Sequence, residues 1–225
     1  MTQDQRPFLI VFSGLPGTGK TTVSKALAAR LCAVYLRIDT IEQAMKAAGA
    51  ERIGRAGYAV ANALAEANLL LGRSIVADCV NPVRDSRLGW SNVAAQASAK
   101  LVDIHLICSD TAEHRRRVEG RSADIPGQIL PTWEAVTQHE FEARDDDHLL
   151  LDTATMSPAE LVDRCDAYVS GRLGSQWIIA KGRTVKVHSP CARKVDRRVR
   201  PKATLALNLD RPFRPRERVD AGNFG

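Results

Sequence analysis

The segment Gly14-Leu-Pro-Gly-Thr-Gly-Lys-Thr21 constrains the fold of this 225-residue chain more than any other feature. It matches the pattern G-x-x-x-x-G-K-[ST] at every position and follows directly after the apolar run Phe8–Phe12, which predicts a strand. Apolar residues at helical spacing then predict a helix over residues 20–31. A glycine-rich loop between a strand and a helix lets consecutive backbone N–H groups point into one concavity.

Such a concavity binds phosphate oxygens, and the N-terminus of the following helix adds partial positive charge. The motif predicts that Lys20 reaches the β- and γ-phosphates of a nucleotide and that the Thr21 hydroxyl binds Mg²⁺. Thr22 is expected to help hold the α-phosphate. The predicted nucleotide-binding residues are Gly14, Leu15, Pro16, Gly17, Thr18, Gly19, Lys20, Thr21 and Thr22. The sequence contains no N-K-x-D motif for reading guanine, so we take ATP as the nucleotide.

Strand-like and helix-like segments alternate along the rest of the chain. Apolar runs predict strands over residues 33–38, 74–77, 101–107 and 148–151. Periodic segments predict helices over residues 40–48, 57–71, 83–99, 111–121, 132–144 and 158–170, the last with Ser157 as its N-cap. This alternation predicts a three-layer α/β fold with a mainly parallel sheet that is covered by helices on both faces.

Two aspartates follow predicted strands. Ligands of such sheets bind at the carboxyl ends of the strands, where the phosphate loop, Asp39 and Asp78 are expected to meet. Asp78 is placed to bind Mg²⁺, although a turn aspartate would fit the same pattern. The less favoured alternative for Asp39 is that it N-caps a helix that starts at Thr40.

Arginines dominate the helix predicted after the fourth strand. Arg117 and Arg121 stand at i,i+4 and share a face, just before a connection over residues 122–131 that contains Pro126-Gly127. A solvated charged helix is the alternative reading of this run. Three polar residues after Asp78 are further candidates for contact with the acceptor: Asn81, Arg84 and Arg87. For each of the two arginines, a surface salt bridge is equally consistent with the sequence.

These residues together resemble the small P-loop kinases over residues 8–170. This group, also described as AAA-type ATP-binding proteins, includes shikimate and gluconate kinases, adenylylsulfate kinase, chloramphenicol phosphotransferase, zeta-toxin-type sugar-nucleotide kinases and the kinase domain of polynucleotide kinase. The resemblance implies a nucleoside-kinase-like P-loop NTPase fold with an arginine-bearing lid. It also implies that Asp39 faces the acceptor hydroxyl. One of the two arginines, Arg117 or Arg121, would approach the phosphates, and the other would lie by the adenine.

The sequence departs from the P-loop pattern at one position. Cys79 follows Asp78, where machine-like ATPases carry a second acid that activates water. A cysteine there favours transfer to an acceptor over dedicated hydrolysis.

Charge is divided unevenly along the chain. Residues 172–225 hold 14 of the 32 Lys and Arg residues but only 4 of the 26 Asp and Glu residues, so this segment carries +10 and residues 1–171 carry −4. We therefore expect a kinase-like domain over residues 1–171 and a basic, loosely ordered tail over residues 172–225. The five cysteines form no metal-binding or paired spacing, and no apolar run is long enough for a membrane span, so we expect a cytoplasmic protein.

Three functions fit these observations. The first is an ATP- and Mg²⁺-dependent phosphotransferase acting on a hydroxyl of a metabolite, nucleoside, sugar or antibiotic. The second is a polynucleotide 5′-kinase or nucleic-acid-associated ATPase that uses the basic tail, with binding that weakens steeply with salt. The third is a regulatory ATP-binding protein without an acceptor. The oligomeric state is left open by the sequence.

Overall fold

The computed structural model describes residues 6–173 of the chain. The strands in this part are β1 (Phe8–Ser13), β2 (Val34–Arg37), β3 (Ile75–Asp78), β4 (Lys100–Ile107) and β5 (Leu149–Asp152). The helices are α1 (Lys20–Leu31), α2 (Ile38–Ala47), α3 (Ala56–Leu70), α4 (Arg84–Gln96), α5 (Thr111–Gly120), α6 (Trp133–Thr137) and α7 (Pro158–Leu173).

One parallel sheet organises these elements. Its strand order is β2-β3-β1-β4-β5, with β1 hydrogen-bonded to β3 on one side and to β4 on the other. The outer pairs, β2 with β3 and β4 with β5, are parallel as well. The predicted parallel α/β fold is confirmed, and the sheet places the carboxyl ends of β1, β3 and β2 side by side.

The central strand is buried on both faces, which explains its uninterrupted apolar sequence. Phe8, Ile10 and Phe12 pack into a core that includes residues of α1 and α7. Leu9 and Val11 point to the opposite face and pack with α3 and α4. Helices on both sides therefore hold β1 rigidly, and the loop that follows β1 starts from a fixed position.

The predicted helix over residues 132–144 is wrong for most of its length, because α6 ends at Thr137. Beyond it the chain is held by contacts with distant residues. The Glu142 backbone N–H donates to the Pro82 carbonyl oxygen at 2.9 Å, and Arg144 pairs with Asp103 at 3.2 Å. These contacts hold the residues after Thr137 across the edge of the sheet. Tertiary contacts therefore outweigh the helical propensity of this segment.

The closing helix begins where its capping pattern predicts. The Ser157 hydroxyl oxygen accepts a hydrogen bond from the Glu160 backbone N–H at 3.3 Å, and the Glu160 carboxylate accepts from the Ser157 N–H at 2.8 Å. This reciprocal pair is a capping box. The predicted tail over residues 172–225 lies, apart from its first two residues, outside the described residues. No helix within residues 6–173 is both long and apolar enough to cross a bilayer.

His105 on β4 is a packing residue. Its ring stacks on Phe141 with centroids 5.0 Å apart, inside the segment that crosses the sheet after α6. The pKa of His105 is lowered to about 4, chiefly by burial, with the charges of Arg144, His148 and Lys20 acting in the same direction and Asp146 acting against them. The folded protein therefore holds this imidazole neutral under conditions in which an unfolded chain protonates it.

This difference predicts a pH-dependent stability. The unfolded chain takes up a proton at His105 near pH 6.5, whereas the folded chain does so near pH 4, so stability that is present above pH 6.5 is lost as the pH falls toward 4. Between pH 6.5 and pH 4, the free energy of unfolding of the His105→Phe variant should fall by about 1–2 kcal/mol less than that of the unsubstituted protein. This figure is discounted for solvent screening because the His105 ring is only half-buried. Urea unfolding between pH 4 and pH 7 measures it. The exposed His139→Phe variant is the control, and an identical loss in both variants would contradict the assignment.

Candidate active site

The loop between β1 and α1 is shaped by its glycines. Gly14 and Gly17 have φ values of 137° and 87°, which residues other than glycine rarely adopt. A Cβ at Gly14 would lie 2.2 Å from the Leu106 carbonyl oxygen, and one at Gly17 would lie 2.5 Å from a methyl carbon of Val118. Only glycine lets the loop pass this close to β4 and α5.

Lys20 is the first residue of α1 and lies almost fully buried, with 8% of its surface exposed. Its ammonium group donates to the Leu15 carbonyl oxygen of the same loop at 2.8 Å. Burial lowers the pKa of Lys20, while the nearby carboxylates of Asp78 and Asp39 act in the opposite direction. The structure thus brings the lysine and both predicted aspartates together.

Asp78 is the last residue of β3 and its side chain is 3% exposed. One carboxylate oxygen accepts hydrogen bonds from the Thr21 hydroxyl at 2.8 Å and from the Tyr35 hydroxyl at 2.7 Å. The two residues predicted to share Mg²⁺ are therefore in direct contact. Tyr35, which the sequence analysis did not single out, fixes the orientation of this carboxylate.

Asp39 is the second residue of α2, two positions further into the helix than the predicted N-cap position. β2 ends at Arg37 and α2 begins at Ile38, so the alternative in which Asp39 caps a helix starting at Thr40 is wrong. The Arg37 guanidinium holds the Asp39 carboxylate at 3.2 Å, and 40% of the Asp39 side chain remains exposed. Asp39 therefore combines a fixed position with access to a ligand.

The two predicted lid arginines have different surroundings. Arg117 donates to the Thr153 hydroxyl at 2.9 Å and to its carbonyl oxygen at 3.1 Å, so it faces the loop after β5. Arg121 follows α5 directly, beyond the helix end at Gly120, and its buried Nε has no hydrogen-bond partner. Burial lowers the pKa of Arg121, whereas Asp39 raises it. Arg121 is thus the arginine on the Asp39 side of the site.

These groups line one cavity of about 630 Å³. The loop and α1 contribute Pro16, Gly17, Gly19, Lys20, Thr21 and Thr22. The lid side contributes Arg116, Arg117, Gly120 and Arg121, and the strand ends contribute Arg37, Asp39 and Asp78. The remaining motif residues form the back of the loop: the Gly14 N–H donates to the Val80 carbonyl oxygen, and the Thr18 hydroxyl donates to the Leu15 carbonyl oxygen.

Three polar residues suggested by the sequence do not line this cavity. Asn81 is fully buried, and its backbone N–H donates to the Tyr58 hydroxyl at 2.8 Å. Arg87 donates to the Pro82 carbonyl oxygen at 3.1 Å. The Arg84 backbone N–H is bound by the carboxylate of Glu142. Arg84 and Arg87 thus contact the segment that crosses the sheet after α6, because Arg87 also donates to the Ala143 carbonyl oxygen at 3.4 Å, whereas Asn81 contacts α3.

Sequence reasoning missed several cavity residues, which lie at the end of β2, on α2 and in the segment after α5. They are Arg37, Glu42, Gln43, Lys46, Asp124 and Gln128. Glu42, Gln43 and Lys46 lie three, four and seven positions after Asp39, so they form one polar face of α2 that begins at Asp39. This spacing could have identified them as cavity residues from the sequence. Asp124 and Gln128 carried no such signal, because their segment has no regular period.

One family model covers both the phosphate loop and the arginines on the lid side of the cavity. A model of the AAA domain matches residues 9–139, more than half of the chain. The chain belongs to the AAA domain family. The matched span of this AAA domain protein includes every predicted site residue from the loop to Arg121. The predicted resemblance to AAA-type ATP-binding proteins is thereby confirmed.

Solved structures show the same fold. The APS kinase CysC of Mycobacterium tuberculosis, in complex with AMPPNP and APS, is 16% identical, with 73% of this chain and 99% of that chain covered and a TM-score of 0.55. A gluconokinase of Sinorhizobium meliloti 1021 is 19% identical, with coverage of 80% and 99% and a TM-score of 0.53. Kti12 of Chaetomium thermophilum, in complex with ADP-AlF3, is 19% identical, with coverage of 72% and 100% and a TM-score of 0.54. No curated protein matches the sequence.

Proposed function

We propose that this AAA domain protein is an ATP- and Mg²⁺-dependent phosphotransferase that moves the γ-phosphoryl group to a hydroxyl of a small molecule. The observation that carries the proposal is the convergence of Lys20, Asp78 and Asp39 on one cavity at the ends of β1, β3 and β2. Neighbouring strands lie about 4.8 Å apart, so roughly 10 Å separate the phosphate loop from α2. This span suits a phosphate chain followed by an acceptor.

The oxygens of Thr21 and Asp78 fit Mg²⁺. A hydroxyl and a carboxylate, 2.8 Å apart and next to the phosphate loop, are hard donors of the type this ion prefers. Within the described residues, no group of three or more His, Cys, Asp or Glu side chains could hold a metal alone. This agrees with Mg²⁺ sites that rely on phosphate oxygens and water for their other ligands. When bound, the ion neutralises charge on the phosphates.

The remaining charged residues act on the transferring group and on the acceptor. Lys20 and Arg121 both place positive charge at the cavity, where negative charge develops on the phosphoryl oxygens. Asp39 accepts the proton of the acceptor hydroxyl or orients that hydroxyl toward phosphorus. Arg37 keeps the Asp39 carboxylate in place. Catalysis in this scheme consists of positioning and charge stabilisation.

Cys79 supports transfer over hydrolysis. It lines the cavity beside Asp78 and is buried, and burial raises the pKa of its thiol. The thiol therefore stays neutral and cannot act as a base toward water. An acid at this position would serve that purpose in a dedicated ATPase.

The alternatives differ in what they require. A polynucleotide 5′-kinase would rely on the basic tail, most of which lies outside the described residues, and salt-dependent binding of oligonucleotides would favour it. A regulatory ATP-binding protein needs no acceptor-facing carboxylate, whereas Asp39 lies in the cavity. We therefore favour the small-molecule phosphotransferase.

Transfer of labelled phosphate from γ-labelled ATP tests this proposal. The full-length protein is incubated with a panel of hydroxyl-bearing metabolites, nucleosides and antibiotics, and products are separated from ATP and free phosphate. Labelled product that depends on both the protein and Mg²⁺ supports the phosphotransferase. Release of free phosphate with every compound, without any labelled product, would instead favour the regulatory ATPase.

The Asp78→Asn variant should raise the Mg²⁺ concentration needed for half-maximal activity at least about tenfold, because one negative charge beside Thr21 is lost. Asparagine still accepts the hydrogen bonds from Thr21 and Tyr35, so the fold should be retained. A Mg²⁺ titration of ATP-dependent activity measures the effect. Asp85→Asn, which alters an exposed ion pair with Arg55, is the matched control. Equal Mg²⁺ requirements in the two variants would exclude Asp78 from the metal site.

A further inference from the structure

Helix α5 contacts the phosphate loop through a buried histidine. His114 is 7% exposed and forms, with Val118, the buried side of α5. Its Nε2 atom lies 2.8 Å from the Pro16 carbonyl oxygen. A carbonyl oxygen can only accept a hydrogen bond, so the Nε2 atom of His114 carries a proton and acts as the donor.

The same imidazole ring lies against Gly17. A Cβ placed on Gly17 would be 3.2 Å from Cδ2 and 3.3 Å from Nε2 of His114, and 2.5 Å from a methyl carbon of Val118. One turn of α5 therefore packs directly on the peptide that joins Pro16 to Gly17. The imidazole is held in turn by Trp133 of α6, whose ring packs edge-on against it with centroids 5.2 Å apart.

The hydrogen bond from His114 sets the direction of the peptide between Pro16 and Gly17. Residues 6–173 contain no cis peptide bond, and in a planar trans peptide the carbonyl and the N–H point in opposite directions. Since the Pro16 carbonyl points toward His114, the Gly17 N–H points away from α5. This N–H has no hydrogen-bond partner among the described residues, and both Pro16 and Gly17 line the cavity.

A peptide that precedes a glycine needs such a contact to keep its direction. Gly17 tolerates positive and negative φ values, so the peptide before it can rotate at little steric cost. Rotation would exchange the directions of the carbonyl and the N–H, and a carbonyl oxygen repels phosphate. An apolar side chain at position 114 could fill the same space, as Val118 does one turn further along α5, but it would provide no donor to hold the Pro16 carbonyl.

We infer that His114 is a positioning residue for nucleotide binding: its Nε2–H holds the Pro16 carbonyl so that the Gly17 N–H is presented to a phosphate oxygen. This inference rests on the nucleotide binding that the proposed function requires, and it extends the phosphate site to α5, outside the loop motif. His114 is not among the residues that line the cavity, so it acts through Pro16 and Gly17 without touching the nucleotide.

Two substitutions separate the hydrogen bond of His114 from its packing. His114→Phe keeps an aromatic ring against Trp133 and Gly17 but has no donor, whereas His114→Gln loses the ring and keeps an amide N–H that can donate to the Pro16 carbonyl. Calorimetry with the full-length protein, Mg²⁺ and ADP measures the dissociation constant. His114→Phe should raise this constant about tenfold or more, the worth of one hydrogen bond to a charged phosphate oxygen, and His114→Gln should raise it less than about threefold.

The exposed His139→Phe variant is the matched control and should bind ADP as the unsubstituted protein does. Thermal unfolding shows which variants are folded. Unchanged ADP affinity in His114→Phe, or an equal loss in both His114 variants, overturns the inference and leaves the proposed function standing. If His114→Phe does not fold, a loss of more than about threefold in folded His114→Gln overturns the inference by itself, and retained affinity in that variant supports it. Absence of ADP binding in the unsubstituted protein counts against both the inference and the proposed function.

Discussion

The Lys20→Ala variant is expected to lose ATP-dependent transfer by about 10²–10³-fold or more, since removal of even a neutral hydrogen-bond donor to a transition state costs this much in other enzymes. Lys20 opens α1 directly behind the glycine loop, and in the described structure its ammonium group is held by the Leu15 carbonyl oxygen of that loop. This position keeps a positive charge at the cavity wall, ready to move onto phosphate oxygens. Alanine removes the charge and leaves the loop backbone intact.

The fold of Lys20→Ala should be retained or slightly stabilised. Burial lowers the pKa of Lys20, which means that holding the charged form at this site is unfavourable for the protein alone. Alanine relieves this cost and is also a better helix former at the start of α1. Thermal unfolding of both proteins therefore separates a loss of function from a loss of fold.

Two control variants sharpen this test. Lys25→Ala removes an exposed lysine from the same helix and should leave both transfer and nucleotide binding unchanged. Lys20→Arg retains the charge but replaces a compact ammonium with a planar guanidinium, so it should restore activity only weakly. Full transfer activity in Lys20→Ala would remove the phosphate loop from the mechanism, and the proposed function with it.

The phosphate loop and its setting were predictable because local sequence determines them. Gly14 and Gly17 adopt positive φ values, Lys20 starts a helix as the motif requires, and α1 covers residues 20–31 as its apolar spacing predicts. Parallel topology followed from alternation of strands and helices. A parallel sheet in turn predicted that the phosphate loop, Asp39 and Asp78 meet at the carboxyl edge of the strands, whereas the strand order was not predicted.

Contacts between distant segments were not predictable in the same way. The Arg37 guanidinium bonds to Asp124, 87 positions away in the chain, and the Arg144 guanidinium reaches Ser13 at the base of the phosphate loop. Neither partner is marked by a motif or a period. The same kind of contact ended α6 early, because the residues after Thr137 gain more from bonding across the sheet than from continuing the helix.

The arginines show an intermediate case. Their position after β4 predicted a role on the lid side, and both Arg117 and Arg121 line the cavity. Their separate surroundings depend on where α5 ends: Arg117 remains in the helix and faces Thr153, while Arg121 lies past it on the side of Asp39. Helix ends are set by a few weak interactions, so sequence alone did not separate the two.

Replacement of Asp39 distinguishes transfer from nucleotide binding. The Asp39→Asn variant is expected to lower the rate of transfer by about 10²–10⁴-fold, the usual contribution of a positioned acid–base group. The affinity for ATP should stay within about twofold, since Asp39 lies on α2, two strands away from the phosphate loop. Asparagine can still accept the hydrogen bond from Arg37, so the side chain keeps its place while losing its ability to take a proton.

Measurement of ATP affinity by calorimetry, beside single-turnover transfer to the acceptor, separates the two effects. Asp163→Asn, on the exposed side of α7, is the matched control and should change neither quantity. A loss of ATP affinity as large as the loss of transfer would refute the role of Asp39 as base or acceptor anchor, because it would place the carboxylate on the nucleotide. Unchanged transfer would leave Asp39 as a partner of Arg37 alone. A selective loss of transfer ties the polar face of α2 to the acceptor, since Asp39 is the first residue of that face.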